Sequence, residues 1–154
     1  MKNAQDEIAA MLAAGKARPF REEYKLYVAG NEDGSTTEGI VRIWVGEQDK
    51  HTASSGLGSI QALDGALKKA VLPFFSQIEG YCLDDFHIEL LKPERTGEAG
   101  KAQQTRVEAI VKCTVEFSSG EDRWISVACD LSFVHAAWTA VLDAYVYGIM
   151  KEAN

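Results

Sequence analysis

The stretch Gly56-Leu57-Gly58-Ser59-Ile60-Gln61-Ala62-Leu63 changes the hydrophobic period of the chain, and that change decides the fold. Before it the pattern is one of strands. Tyr24, Leu26 and Val28 alternate with Lys25 and Tyr27, Ile40 to Val45 is rich in β-branched residues, and His51 to Ser55 forms a weaker third strand. Asn31-Glu32-Asp33-Gly34-Ser35 and Gly46 to Asp49 supply the turns between them. After the junction Ile60, Leu63, Leu67, Ala70 and Val71 recur at helical spacing, and Pro73 marks the end. The prediction is three strands and a helix.

The same order then returns. Phe86, Ile88 and Leu90 alternate with His87 and Glu89, and a polar loop is expected from Pro93 to Gln104. Val107, Ala109, Val111, Cys113, Val115 and Phe117 alternate with polar neighbours in a long half-buried strand. A turn at Ser118 to Glu121 leads to Ile125, Val127, Cys129 and Leu131, and a last helix runs from about Ser132 to Met150. Upstream, Asn3 or Asp6 could cap a short helix whose Ile8, Met11 and Leu12 share a face and which Gly15 ends. The expected fold class is therefore α+β: two βββα units related by pseudo-two-fold symmetry, a sheet layer packed on helices, and a short N-terminal helix. Residues 1–19 read as that helix and a linker. Residues 20–150 read as one domain, with repeats over about 20–80 and 81–150. Identity between the halves is low, so the repeat is one of pattern.

Length and composition narrow the function. A chain of 154 residues is about one domain, and a TIM barrel takes about 250. Hydrophobic content of 46%, charged content of 25% and three prolines suit a globular chain with a proper core. Sixteen Lys and Arg against 23 Asp and Glu give a net charge of −7, which repels phosphate backbones and argues against nucleic acid. Cys82, Cys113 and Cys129 are odd in number and lack CxxC spacing, so reduced thiols are expected. No apolar run approaches the roughly 18–20 residues that cross a membrane. Asp6 and Glu7 stand where a signal peptide would be basic and then apolar, so a cytoplasmic location is expected.

The last helix suggests a partner. Ser132, His135, Thr139 and Asp143 form one narrow polar stripe, flanked by Val134, Trp138, Val141 and Tyr145 on one side and Phe133, Ala137, Ala140 and Ala144 on the other. A helix with so little polar surface is usually covered twice. One cover is its own sheet, and the other is expected to be a second copy in a homodimer.

For chemistry, the Gly56–Leu63 junction is the sharpest local feature. Its glycines allow a tight turn, and the first helical N–H groups would suit a carboxylate or phosphate. A Gly-rich turn with Ser59 as N-cap fits the same residues. The third glycine of a dinucleotide fingerprint is absent at Gln61, and no Gly-Lys-Ser/Thr makes a Walker loop. His51, His87 and His135 have no metal-ligand spacing. Asp84-Asp85 points to opposite faces of a strand, which suits a strand-start charge pair better than paired acid–base work. Cys113 and Cys129 are expected in the core. Tyr24, Tyr27, Trp44, Trp124 and Trp138 lack interleaved basic residues, against a stacking platform for bases. No catalytic residue, metal site or cofactor site is expected. Residue chemistry alone stops at a ligand-binding or dimerising α+β domain.

The ordered set of features resembles a known family. The βββα repeat, the Gly56–Leu63 junction, Leu83-Asp84-Asp85-Phe86-His87-Ile88 and the segment Val134 to Ala144 are similar to the C-terminal regulatory (allosteric, dimerisation) domain of 2-isopropylmalate synthase and citramalate synthase. The likeness covers about Phe20 to Met150. Members typically carry Gly-x-Gly-Pro-Val-Asp-Ala after the third strand and Glu-Ala-Ser early in the last helix. Here Ser59, Ile60 and Gln61 replace Pro-Val-Asp, and His135-Ala136-Ala137 replaces Glu-Ala-Ser. The resemblance implies a non-catalytic domain that binds a branched-chain amino acid of the leucine or isoleucine type at a homodimer interface. It would regulate a synthase catalytic domain that this chain does not contain. The ligand site it implies is Gly56, Gly58, Ser59 and Ile60, with Ala136 and Ala137. The other readings are a structural dimerisation module without ligand, and a small enzyme with an unrecognised pocket.

Overall fold

The computed structural model describes residues 1–91 and 109–153. Its elements are β1 (Lys2–Asn3), α1 (Ala4–Ala13), β2 (Arg21–Asn31), β3 (Gly34–Val45), β4 (Gln48–Gly56), α2 (Ser59–Val71), a 3-10 turn (Ser76–Gly80), β5 (Cys82–Leu91), β6 (Ile110–Ser119), β7 (Asp122–Asp130) and α3 (Phe133–Glu152). The α+β architecture with βββα twice and a short first helix is the one the periodicity predicts. The expected loop at Pro93 to Gln104 and the strand residues Arg106, Val107 and Glu108 lie outside the described residues.

The strands form two sheets. One has the order β2-β3-β4, the other β1-β7-β6-β5. All pairings are antiparallel except β1 with β7. Residues directly opposite one another share a face, and this settles the cysteines. Cys113 pairs with Ala128 and is fully buried, where burial pushes its thiol up to about 11. Cys129 pairs with Lys112 on the other face and is exposed, against the expectation of a core residue. The buried phase of β7 is Trp124, Ser126 and Ala128, not Ile125, Val127 and Cys129. Trp124 also anchors the strand through Nε1–H donated to the Ala144 carbonyl at 3.0 Å.

Helix α1 is built into the core. Asn3 Oδ1 accepts from the Asp6 N–H, and Gly15 at φ +95° ends the helix, with Lys16 N–H returning to the Met11 carbonyl. Ala4 and Ile8 are buried in the same core as β6 and α3, so the core extends N-terminal of Phe20. Leu12, expected on that face, is 41% exposed. Gln5 ties the helix down: its amide donates to Ser126 Oγ at 2.7 Å and accepts from Val127 N–H at 2.8 Å.

The flanks of α3 are covered within the chain, which corrects the reason given for a second copy. Ala136, Ala137, Trp138, Ala140, Val141, Ala144 and Tyr145 are all buried. Sheet residues of β6 and β7 pack on one side, and α1 and α2 flank the helix. Trp138 lies against the Tyr24 ring at 4.7 Å. Only Phe133 and Val134, at the first turn, keep appreciable exposure among these flanking residues.

Both βββα helices run in one direction. Along α2, Gly56 approaches Ala62, Ser54 meets Gly65, and Thr52 Oγ1 donates to the Ala66 carbonyl, so α2 runs opposite to β4 and therefore to β2. Along α3, Trp138 meets Tyr24 and Asp143 pairs with Arg18 at 3.0 Å, so α3 also runs opposite to β2. The N-termini of α2 and α3 thus share one end of the molecule with the β2–β3 turn and the start of β6.

Candidate functional site

At that end α2 begins without a side-chain cap. Gly58 is the N-cap, extended at φ −162° and ψ −178°, and Ser59 is the first helical residue rather than the cap. Gly58 carbonyl accepts from Ala62 N–H at 3.0 Å. The N–H groups of the first turn have no intrahelical acceptors, and that turn contains no acidic residue. Helices α1 and α3 are capped, by Asn3 and by Ser132, whose Oγ accepts from His135 N–H at 3.3 Å. The start of α2 therefore presents unpaired donors and the positive end of the helix dipole.

The two glycines differ in what they do. A Cβ on Gly56 would stand 2.5 Å from the Ala62 nitrogen, and one on Gly39 2.8 Å from the Ala62 carbonyl oxygen. The first turn of α2 thus rests directly on glycines of β3 and β4. Gly39 escaped the sequence reading, although a glycine inside a strand is a signal of close backbone approach. Gly58 has room: a Cβ there would meet only Gln61 Oε1 at 3.3 Å, and its φ suits any residue. Among the described residues, neither packing nor backbone conformation requires glycine at Gly58.

The remaining site residues divide in two. Gly56, Gly58 and Ser59 are part-exposed at the junction, whereas Ile60 is 3% exposed and faces the core. Ala136 and Ala137 are fully buried in α3. Among the described residues, open grooves near Met1, Asp122 and Lys151, near Arg18 and Trp44, and along the β2–β3 turn are not lined by Gly56, Gly58, Ser59 or Ile60. Around the junction the surface is apolar instead. Val28, Leu57, Leu90, Ile110, Leu131 and Phe133 all lie at this end, and their exposures run from 38% to 99%. Val28 and Leu90 share the strand phase of the half-buried Leu26 and Ile88, but both are exposed, a difference that the alternation of the sequence does not reveal.

Among the described residues no group of three or more His, Cys, Asp or Glu side chains could hold a metal ion. No helix described is long and apolar enough to cross a membrane. His135 Nδ1 lies 3.0 Å from the Tyr24 hydroxyl, whose pKa is raised by burial and by Asp130. Asp64, on α2, accepts from the Tyr145 hydroxyl at 2.6 Å. Burial raises its pKa, against the lowering effects of that bond and of Lys68.

Comparison with known proteins agrees with this architecture. A profile of the LeuA allosteric (dimerisation) domain matches residues 4–149. The (R)-citramalate synthase of Aquifex aeolicus (strain VF5) is 32% identical over 133 residues, which are 85% of this chain and 23% of that protein. The (R)-citramalate synthase of Synechocystis sp. (strain ATCC 27184 / PCC 6803 / Kazusa) is 33% identical over 109 residues, 71% of this chain and 18% of its own length. That of Streptomyces coelicolor (strain ATCC BAA-471 / A3(2) / M145) is 26% identical over 144 residues, 90% of this chain and 25% of its own. The chain spans about a quarter or less of the length of these relatives.

Proposed function

The chain belongs to the LeuA allosteric (dimerisation) domain family, and on that premise we propose that it is a homodimeric sensor of a small branched-chain amino acid. The ligand carboxylate sits on the uncapped start of α2, at Gly58 and Ser59, and a second copy closes the site. The domain performs no chemistry itself. In a longer synthase it would pass the ligand's presence to a catalytic domain.

One observation carries this reading: the uncapped start of α2, with the exposed Leu57 beside it, lies at the same end of the molecule as the exposed Val28, Leu90 and Leu131. Val28, Leu57, Leu90 and Leu131 form the kind of surface that marks an interface, and a carboxylate beside them would gain charge-assisted hydrogen bonds away from water. Leucine or isoleucine supplies both an anion and an apolar side chain.

Light scattering at micromolar protein is expected to give twice the 16.9 kDa chain mass. Leu57→Asp combined with Leu90→Asp should give a folded monomer, because each residue is exposed in the chain and each charge would be buried unpaired on association. A loss of about 3 kcal/mol is over a hundredfold in affinity. A double variant that stays dimeric would move the interface elsewhere. For the ligand, calorimetry with leucine, isoleucine and valine is expected to give heat with wild type and none with Gly58→Val, whose branched side chain would cover the N–H groups. Both proteins should melt at nearly the same temperature, since Gly58 has space and an ordinary backbone conformation.

A purely structural dimeriser is the second reading. It is favoured by Gln61 and Ala137 standing where the family pattern has Asp and Ser, and by the complete burial of Ala136 and Ala137. A dimer that takes up none of the three amino acids at millimolar concentration would establish it.

A further inference from the structure

Among the described residues, the one side-chain hydrogen bond between α2 and α3 is that of the Tyr145 hydroxyl to Asp64 Oδ1, at 2.6 Å. The buried residues of both helices are otherwise apolar and often small: Ala62, Ala66 and Ala70 on α2, and Ala137, Ala140 and Ala144 on α3. Apolar burial has no directional preference and leaves the relative height of two packed helices open, whereas a single buried polar pair can set a register. Tyr145 is itself held rigidly. It is fully buried, edge-on to Phe117 at 5.0 Å and stacked on Tyr81 at 6.2 Å.

Asp64 has few other resources. Lys68, one turn on, spends its ammonium on the Glu79 and Tyr81 carbonyls at 3.2 and 2.8 Å. The groups that bear electrostatically on the pair are Lys68 on α2 and Cys82 on β5.

We propose that Asp64 and Tyr145 are a positioning pair that pins the height of α2 against α3, and so couples one βββα unit to the other. The pin lies about one and a half turns below the start of α2. A ligand seated on that start would pull on α2, and the pin would carry the displacement into α3; this last step rests on the ligand reading above, while the pin itself does not.

Hydrogen exchange on the 154-residue chain tests it without any ligand. In wild type, α2 and α3 amides should exchange as one cooperative unit. Tyr145→Phe keeps the ring packing and removes the donor, so α2 amides should exchange at least tenfold faster while α3 stays protected. Asp64→Asn keeps an acceptor for Tyr145 and should preserve the common rate. Equal loss of protection in both helices, or no change in either, would overturn the pin.

The pH profile is a second readout, because burial raises the Asp64 pKa while the Tyr145 bond works against that rise. The folded pKa of Asp64 is raised above its ordinary value of 3.8. The folded state then binds that proton more tightly, so the contribution of Asp64 to stability grows as pH falls through the folded value. The melting temperature of wild type relative to Asp64→Asn should therefore rise between pH 7 and pH 4. Tyr145→Phe, which removes the bond that holds the Asp64 pKa down, should make that rise steeper, and a pH dependence left unchanged by Tyr145→Phe would overturn the pin. If leucine and isoleucine do not bind wild type, the ligand reading fails and the exchange result still decides the pin.

Discussion

Trp138→Asp is expected to unfold the chain rather than to separate two copies. The indole is 3% exposed and lies 4.7 Å from the Tyr24 ring, inside the core that joins β2 to α3. Replacing it removes a large apolar side chain, which costs about 3–5 kcal/mol in a core, and it places an unpaired carboxylate there at a further cost of several kcal/mol. Native domains of this kind have about 5–15 kcal/mol in total. Circular dichroism and a urea titration should show loss of the cooperative transition, whereas Trp138→Phe should keep it with a lowered midpoint. If Trp138→Asp instead melted like wild type and only became monomeric, α3 would lie at the interface between copies and the packing described here would be wrong.

Gly56→Ala should be the second most damaging change, out of proportion to a single methyl group. The added Cβ would stand 2.5 Å from the Ala62 nitrogen and 2.9 Å from the Gln61 carbonyl carbon. Both are backbone atoms, so no side-chain rotation relieves the clash, and the first turn of α2 must lift off the sheet. Overpacking of this kind costs about 1–3 kcal/mol, occasionally more. The lift would also displace the candidate anion site, so a ligand titration of the surviving folded protein should weaken as well. Gly58→Ala, two residues on, should change the urea midpoint little. Equal effects of the two substitutions would show that the junction is mobile and that α2 does not rest on Gly56.

The contrast between these glycines separates what a sequence can say from what packing adds. Both stand in the same short motif, and the sequence assigns them the same freedom to turn. In the fold Gly56 is needed for helix–sheet contact with Ala62, whereas among the described residues nothing requires a glycine at Gly58. That difference makes Gly58 the more informative position for function. The other candidate site residues divide on the same ground: Ser59 is at the surface, and Ile60, Ala136 and Ala137 are inside.

By itself the sequence determined the order of elements, βββα twice after a short helix, because period 2 and period 3.6 are local properties of side-chain spacing. It also determined that α2 starts near Ser59 and α3 near Ser132, since turns and helix starts use neighbouring residues. Only the tertiary structure decided which apolar faces were covered. Period placed Cys129 with Leu131 on an inward face, but pairing with Lys112 turns it outward, because Trp124 and Ala128 fill the core on the other phase. Helix α3 carries apolar residues nearly all round, which one sheet cannot cover, and its additional covers proved to be α1 and α2 of the same chain. Among the apolar surface left over, Leu57, Leu90 and Leu131 lie at the end where α2 and α3 start. Burial depends on contacts between residues distant in sequence, as the 121-residue separation of Gln5 from Ser126 illustrates, and no local period encodes such a contact.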